Sequence, residues 1–248
     1  MRRGLLLIDR GSREEEVKEE LQYICEKVKL RGNYYFSDYC FLEVVPPYIA
    51  DGIKKCLSQN IDALTIIPYF LYPGRKVKAA VNTAVRLQSQ TGVKFTISRP
   101  MTLHKSLIKI VDEKIDSVLK KNKISIPKIE VDILLIGHGS KDPNARMSLR
   151  YVADGLEERY RSVKYCFLEI EEPNIKQGIE MSAQDNPNIL VVMPYFLHKG
   201  VHVKRDIHED LDSAITNSGI NNILVSEHLG TDDGMIDLVL QRAREVEI

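Results

Sequence analysis

Tyr39-Cys40-Phe41-Leu42-Glu43 recurs in the same chain as Tyr165-Cys166-Phe167-Leu168-Glu169, 126 positions later. In that register Pro47 falls on Pro173, Ile49 on Ile175 and Gly52-Ile53 on Gly178-Ile179. Further out, Pro68-Tyr69-Phe70-Leu71 repeats as Pro194-Tyr195-Phe196-Leu197, Gly74 falls on Gly200, and Val77-Lys78 on Val203-Lys204. Toward the start Gly11-Ser12 matches Gly139-Ser140 at a shift of 128, which needs only a two-residue gap. Matches in one register along most of the chain make it an internal duplication, so its fold has to be decided for one repeat only.

Within each repeat, short apolar runs alternate with amphipathic stretches. Leu5–Ile8, Tyr34–Phe41, Ala63–Pro68 and Lys94–Ser98 read as strands, as do Val131–Ile136, Val163–Leu168, Ile189–Met193 and Ile223–Ser226. Runs of Ile, Leu and Val without polar alternation suit strands covered on both faces. Arg13–Lys29, Lys76–Gln90, Asn144–Tyr160 and Val203–Asn217 read as helices, the third opened by Asp142-Pro143 as a cap and first-turn proline. Repeated βα units imply a parallel sheet of about four strands with helices on both faces. Lys120–Lys128 reads as a linker, which gives an α/β chain of two tandem domains at 1–122 and 129–248.

Composition narrows the function. Lys plus Arg and Asp plus Glu both number 35, so the chain lacks the positive excess that nucleic acid or an anionic membrane surface selects. The apolar run after Met1-Arg2-Arg3 ends at Asp9, too soon for a signal peptide, and no stretch is long enough to span a bilayer. The 4 cysteines show no CxxC spacing, which is expected of reduced, buried thiols in a cytoplasmic protein. There is no Walker A loop, no GxGxxG after a strand and no GxSxG elbow.

In open α/β sheets, ligands bind beyond the carboxyl ends of the strands. Three residues of the second repeat fall there: His138 within Gly137-His138-Gly139-Ser140, Glu169 closing its strand, and His202 in the loop that begins at Tyr195. Two imidazoles and a carboxylate suit a borderline divalent cation. A lone histidine after a strand is more often a loop or cap residue, and Glu169 alone could cap a helix. The weighing changes because the chain has only 6 histidines, and His138, His198, His202 and His208 all lie in this half. In the first repeat Arg10 stands for His138, Glu43 for Glu169, Lys76 for His202 and Tyr72 for His198. A guanidinium cannot ligate a metal and an ammonium must first lose its proton, so one repeat alone looks competent for metal chemistry.

Gly137-His138-Gly139-Ser140, Phe167-Leu168-Glu169 with Pro173, and Pro194 to Leu197 running on through Gly200-Val201-His202-Val203 to Asp206-Ile207 resemble the class II tetrapyrrole chelatases, of the sirohydrochlorin cobaltochelatase and ferrochelatase type. The resemblance spans the second repeat and, degraded, the first. It implies flavodoxin-like domains and insertion of Fe2+ or Co2+, with Ni2+ a further candidate, into the carboxylate-rich macrocycle sirohydrochlorin for siroheme or cobalamin synthesis. By similarity His138, His202 and Glu169 bind the metal and act in catalysis. Glu172 and the loop residues Leu197, His198, Lys199, Gly200 and Val201 contact the macrocycle, with Arg10 and Lys76 attracting its carboxylates. No ATP and no cofactor beyond the metal is implied, and the chain acts as a monomer or homodimer without nucleic acid or membrane. Two-domain members from bacilli are similar but place the site in the first half. The rival readings are a metal or tetrapyrrole carrier derived from a chelatase, and a hydrolase using His138 as a base.

Overall fold

The computed structural model describes the chain except residues 143, 199, 201–205 and 248, and except the side chains of residues 206–210. Each repeat forms four parallel strands. In the first, β1 (Arg3–Asp9), β2 (Phe36–Phe41), β3 (Ala63–Pro68) and β4 (Lys94–Ile97) lie in the order β2-β1-β3-β4. In the second, β5 (Asp132–Gly137), β6 (Ser162–Phe167), β7 (Leu190–Pro194) and β8 (Ile223–Val225) lie in the order β6-β5-β7-β8. Even the register repeats: Ile8 lies beside Cys40 and Pro68, and Ile136 beside Cys166 and Pro194. This is the flavodoxin-like strand order, and every expected strand is present with its ends moved by at most two residues.

The helices among the described residues are α1 (Glu15–Gly32), α2 (Ile49–Leu57), α3 (Arg75–Gln88), α4 (Lys105–Lys121), α5 (Ala145–Leu156), α6 (Ile175–Ala183), α7 (Asp206–Thr216) and α8 (Asp233–Arg244). Leu5 to Ile8 are all fully buried, because successive side chains of a central strand point into opposite layers. Leu6 and Ile8 share a core with Ile49 and Ile53 of α2 and with Val77, Ala80 and Ala84 of α3. Leu134 and Ile136 do the same with Ile175, Ile179 and Leu211. The expected cap of α5 is moved. Asp142 lies ahead of the helix, where its Oδ1 accepts the Asn144 N–H at 3.0 Å and its carbonyl the Ala145 N–H at 2.9 Å.

The compact units are not the segments 1–122 and 129–248 that the repeat suggests. One comprises Met1–Thr102 with Thr231–Ile248, the other Leu103–Gly230. The last helix of each repeat has been exchanged: α4 packs on α5, β7 and β8, while α8 packs on α1 and β3. Residues 122–128 therefore join two elements of one unit, and the chain crosses between units near Thr102 and Gly230. Leu107, Ile110, Val111 and Ile115 give α4 an apolar face, but such a face does not say which of two similar sheets it covers. Specific polar bonds do. Tyr160, in the second unit, donates its hydroxyl to Asp112 of α4 at 2.6 Å, and Lys128 and Arg159 each reach the same carboxylate at 2.8 Å. In the first unit Tyr34, at the matching position, donates to Glu247 beyond α8 at 2.9 Å. No described helix is long and apolar enough to cross a membrane.

Candidate functional site

In each sheet the strand order reverses at the first strand of the repeat, which opens a crevice at the carboxyl ends of its neighbours. His138 leaves β5 at that point. The β5–β6 ladder continues past the strand ends: Leu168 N–H donates to the Gly137 carbonyl at 2.8 Å and Glu169 N–H to the His138 carbonyl at 3.1 Å. This pairing sets the two side chains next to one another. Gly139 makes the closeness possible. Its φ is +90°, and a Cβ there would lie 1.8 Å from the Glu169 carbonyl oxygen, so only glycine fits.

His138 Nδ1 stands 3.2 Å from Glu169 Oε1, an ion-pair distance rather than an aligned hydrogen bond. The carboxylate is 47% exposed and the imidazole 25%, so both are within reach of a ligand. The Phe196 ring, from the loop after β7, lies 6.3 Å from the imidazole, centroid to centroid. Nδ1 thus faces the Glu169 carboxylate at the end of β5.

The remaining expected residues divide. Leu197, His198 and Gly200 follow β7 and are half-buried, and among the described residues nothing lies within 4 Å of a Cβ added at Gly200. Lys199, Val201 and His202 lie outside the described residues. Among the described residues, accordingly, no three His, Cys, Asp or Glu side chains gather as a metal site, and His138 with Glu169 form a pair. Glu172 is exposed, and its Oε2 accepts the Asn174 N–H at 3.0 Å ahead of α6.

At the matching place in the first unit, Glu43 lies between two cations. Arg10 Nε is 3.2 Å from Oε1, and Lys76 Nζ is 2.5 Å from Oε2. Hydrogen bonds from Lys76 first, then Arg10, hold the Glu43 carboxyl below the usual range. The backbone is the same as in the second unit. Glu43 N–H donates to the Arg10 carbonyl at 3.1 Å, Gly11 has φ +107°, and a Cβ there would lie 2.2 Å from the Glu43 carbonyl oxygen. The structure thus brings Arg10 and Lys76 together on Glu43.

Two residues near the second site escaped the reading of the sequence. Glu171 and Arg146 meet at 2.9 Å just behind Glu169. The one available signal was a difference between repeats, Glu171-Glu172 standing where the first has Val45-Pro46.

The family model described as CbiX matches the chain twice, over residues 4–118 and 132–246. The sirohydrochlorin ferrochelatase of Priestia megaterium is 24% identical over 246 residues, which is 97% of this chain and 89% of that protein. The sirohydrochlorin cobaltochelatase of the same organism is 25% identical over 207 residues, 82% of this chain and 67% of the other. Among solved structures, SirB from Bacillus subtilis with Fe3+ has a TM-score of 0.84 at 23% identity, covering 99% of this chain and 95% of that one. Its likeness is one of fold. The double match, covering both repeats almost end to end, is the stronger finding: this chain belongs to the CbiX family and carries the family's domain twice.

Proposed function

We propose that this protein inserts a divalent first-row metal, Fe2+ or Co2+, into sirohydrochlorin, with the chemistry carried by the second repeat. The observation that supports it best is the His138–Glu169 pair at 3.2 Å, placed where the strand order of the second sheet reverses. A cation arriving there meets a neutral-capable imidazole and a carboxylate, whereas in the first unit it would meet a guanidinium and an ammonium that repel it. His202 is the second imidazole of the set, four residues beyond His198 in the sequence.

Insertion removes two pyrrole N–H protons as the macrocycle closes round the metal. An imidazole titrates near neutral pH and a carboxylate accepts protons readily, so His138, His202 and Glu169 can pass the cation on and take up protons. Leu197 to Val201 precede His202 in the sequence and are the residues we assign to macrocycle contact. Arg10 and Lys76 carry one positive charge more than Glu43 neutralises, which suits attraction of the substrate's carboxylates. Nothing in this scheme calls for ATP, a further cofactor or a second chain. Four buried free thiols fit a reducing, cytoplasmic setting.

Anaerobic incubation of the protein with sirohydrochlorin and Co2+ tests the reading. Insertion shifts the macrocycle's absorption bands, and His138→Ala is expected to abolish the shift. Binding of macrocycle and metal without any band shift would turn the assignment to a carrier. Full turnover by His138→Ala would end it.

A further inference from the structure

The two loops that carry His138 and Glu169 are also joined by a side-chain network. Glu171, only 11% exposed, accepts the Ser140 N–H through Oε1 at 2.9 Å and meets Arg146 Nε through Oε2 at 2.9 Å. Arg146 also donates from Nη2 to the Glu172 carbonyl at 2.9 Å, and its guanidinium carbon lies 5.3 Å from the centroid of the Phe167 ring. One arginine thus touches three points of the segment 167–172. Its partner carboxylate meanwhile holds the loop that follows His138. Helix α5 by itself does not ask for a cation there. Arg146 is its second residue, and helix starts favour negative charge.

The first repeat has the same backbone without this network. Val45 N–H donates to the Glu43 carbonyl at 2.9 Å as Glu171 N–H does to that of Glu169 at 2.8 Å, and Val44 and Ile170 share φ values of 75° and 73°. Val45 offers no carboxylate, and Lys18, in the place of Arg146, pairs with Glu15 at 2.7 Å. There the carboxylate of Glu43 is gripped directly by Arg10 and Lys76. Glu169 cannot be gripped in that way if it is to change partners among imidazole, cation and proton. Its loop has to be held from behind.

We propose that Arg146 and Glu171 are positioning residues: together they fix the segment 169–172 against the loop after β5, so that the Glu169 carboxylate stays beside His138 when metal is taken up. This rests on the chelatase reading. The test uses Co2+ alone, titrated into the full chain and followed by its visible absorption, with insertion into sirohydrochlorin measured alongside. Arg146→Met is expected to weaken Co2+ binding and slow insertion by about tenfold or more, as loss of an outer partner of a metal site usually does. Arg146→Lys should restore part of both. Glu171→Gln, which keeps an acceptor for Ser140, should lose as much as Arg146→Met, and the double variant no more than either. Amide exchange at Ser140 should speed up in Arg146→Met, and the melting temperature should fall by several degrees because the largely buried Glu171 carboxylate loses its cation, with Arg146→Lys recovering most of that fall. Unchanged Co2+ binding in Arg146→Met beside faster Ser140 exchange would overturn the proposal, as would losses that only track melting temperature. A wild-type chain that takes up no Co2+ would instead bring down the chelatase reading itself, and this inference with it.

Discussion

In the first repeat Glu43 lies between Arg10 and Lys76; in the second, Glu169 at the same strand end meets His138. The surrounding backbone is nearly identical, down to a glycine with positive φ and a turn whose second residue also has positive φ. The glycine and the turn serve only to bring a carboxylate against the residue that follows the first strand. What that residue is decides the rest. Two permanent cations hold the Glu43 carboxylate in a closed site with one positive charge in excess, while Glu169 has an imidazole beside it. The pair of sites shows one backbone carrying two different side-chain chemistries, which is how one fold hosts more than one role.

The largest expected effect comes from breaking the shared backbone device in each half. Gly139→Ala would push a methyl group to 1.8 Å from the Glu169 carbonyl oxygen, and Gly11→Ala to 2.2 Å from that of Glu43. Both changes also force a side chain into left-handed backbone, at a cost on the order of 1–3 kcal/mol. Insertion should fall by at least about 100-fold in Gly139→Ala, where the lesion displaces a group next to the metal, and by less than about tenfold in Gly11→Ala. Initial rates of cobalt insertion check this, with circular dichroism to confirm folding. Equal losses in the two variants would mean that the halves do not differ in function.

A second experiment tries to convert one site into the other. Arg10→His combined with Lys76→His leaves Glu43 in place and supplies the residue types of the second repeat. Cobalt titration should then show an additional equivalent bound, weaker than the first because the first repeat has no counterpart of Arg146 with Glu171. An unaltered stoichiometry would show that more than these two side chains separates the repeats.

The sequence was informative where physics is local or duplicated. Buried strands of Ile, Leu and Val need no partner to be recognised, and a register of 126 aligned the two halves residue by residue. His138 and Glu169 could be placed together because both follow strands that a βα alternation must make neighbours. Exchange of α4 and α8 was not legible, because each helix has an apolar face that fits either of two related sheets. The link between Arg146 and Glu171 was equally hidden, since residues 25 apart, one opening α5 and the other on the loop after β6, follow no period. Lys199, Val201 and His202 lie outside the described residues, so their part in the site rests on the sequence.

The exchanged helices sharpen the comparison at a smaller scale. Asp112 satisfies a tyrosine, a lysine and an arginine with its side chain 11% exposed, whereas Glu247, near the chain end, serves Tyr34 and Thr65. Asp112→Ala strands a buried hydroxyl, removes the carboxylate paired with Arg159 and leaves Lys128 to Asp116, and should cost about 2–4 kcal/mol in urea unfolding. Glu247→Gln keeps an acceptor for the Tyr34 hydroxyl and should cost about 1 kcal/mol or less. A larger loss for Glu247→Gln would mean that α8, not α4, is the better anchored of the two.

The smallest effect concerns the closed site itself. Lys76 and Arg10 hold the Glu43 carboxyl below its ordinary value of 4.5. A carboxyl that is more acidic in the folded chain contributes stability that is fully present above its unfolded value and is lost as the pH falls through its folded value. Glu43 is 35% exposed, so solvent screening keeps the contribution under about 1 kcal/mol. Lys76→Met removes the leading cause of the shift. The variant should therefore be slightly less stable than the wild type at about pH 7, and that deficit should shrink as the pH is lowered from about 5 to 3. Urea midpoints across that range provide the measurement. Parallel curves would mean that the Arg10–Glu43–Lys76 contact stores no energy, and the first repeat would then be an inactive site without being a closed one.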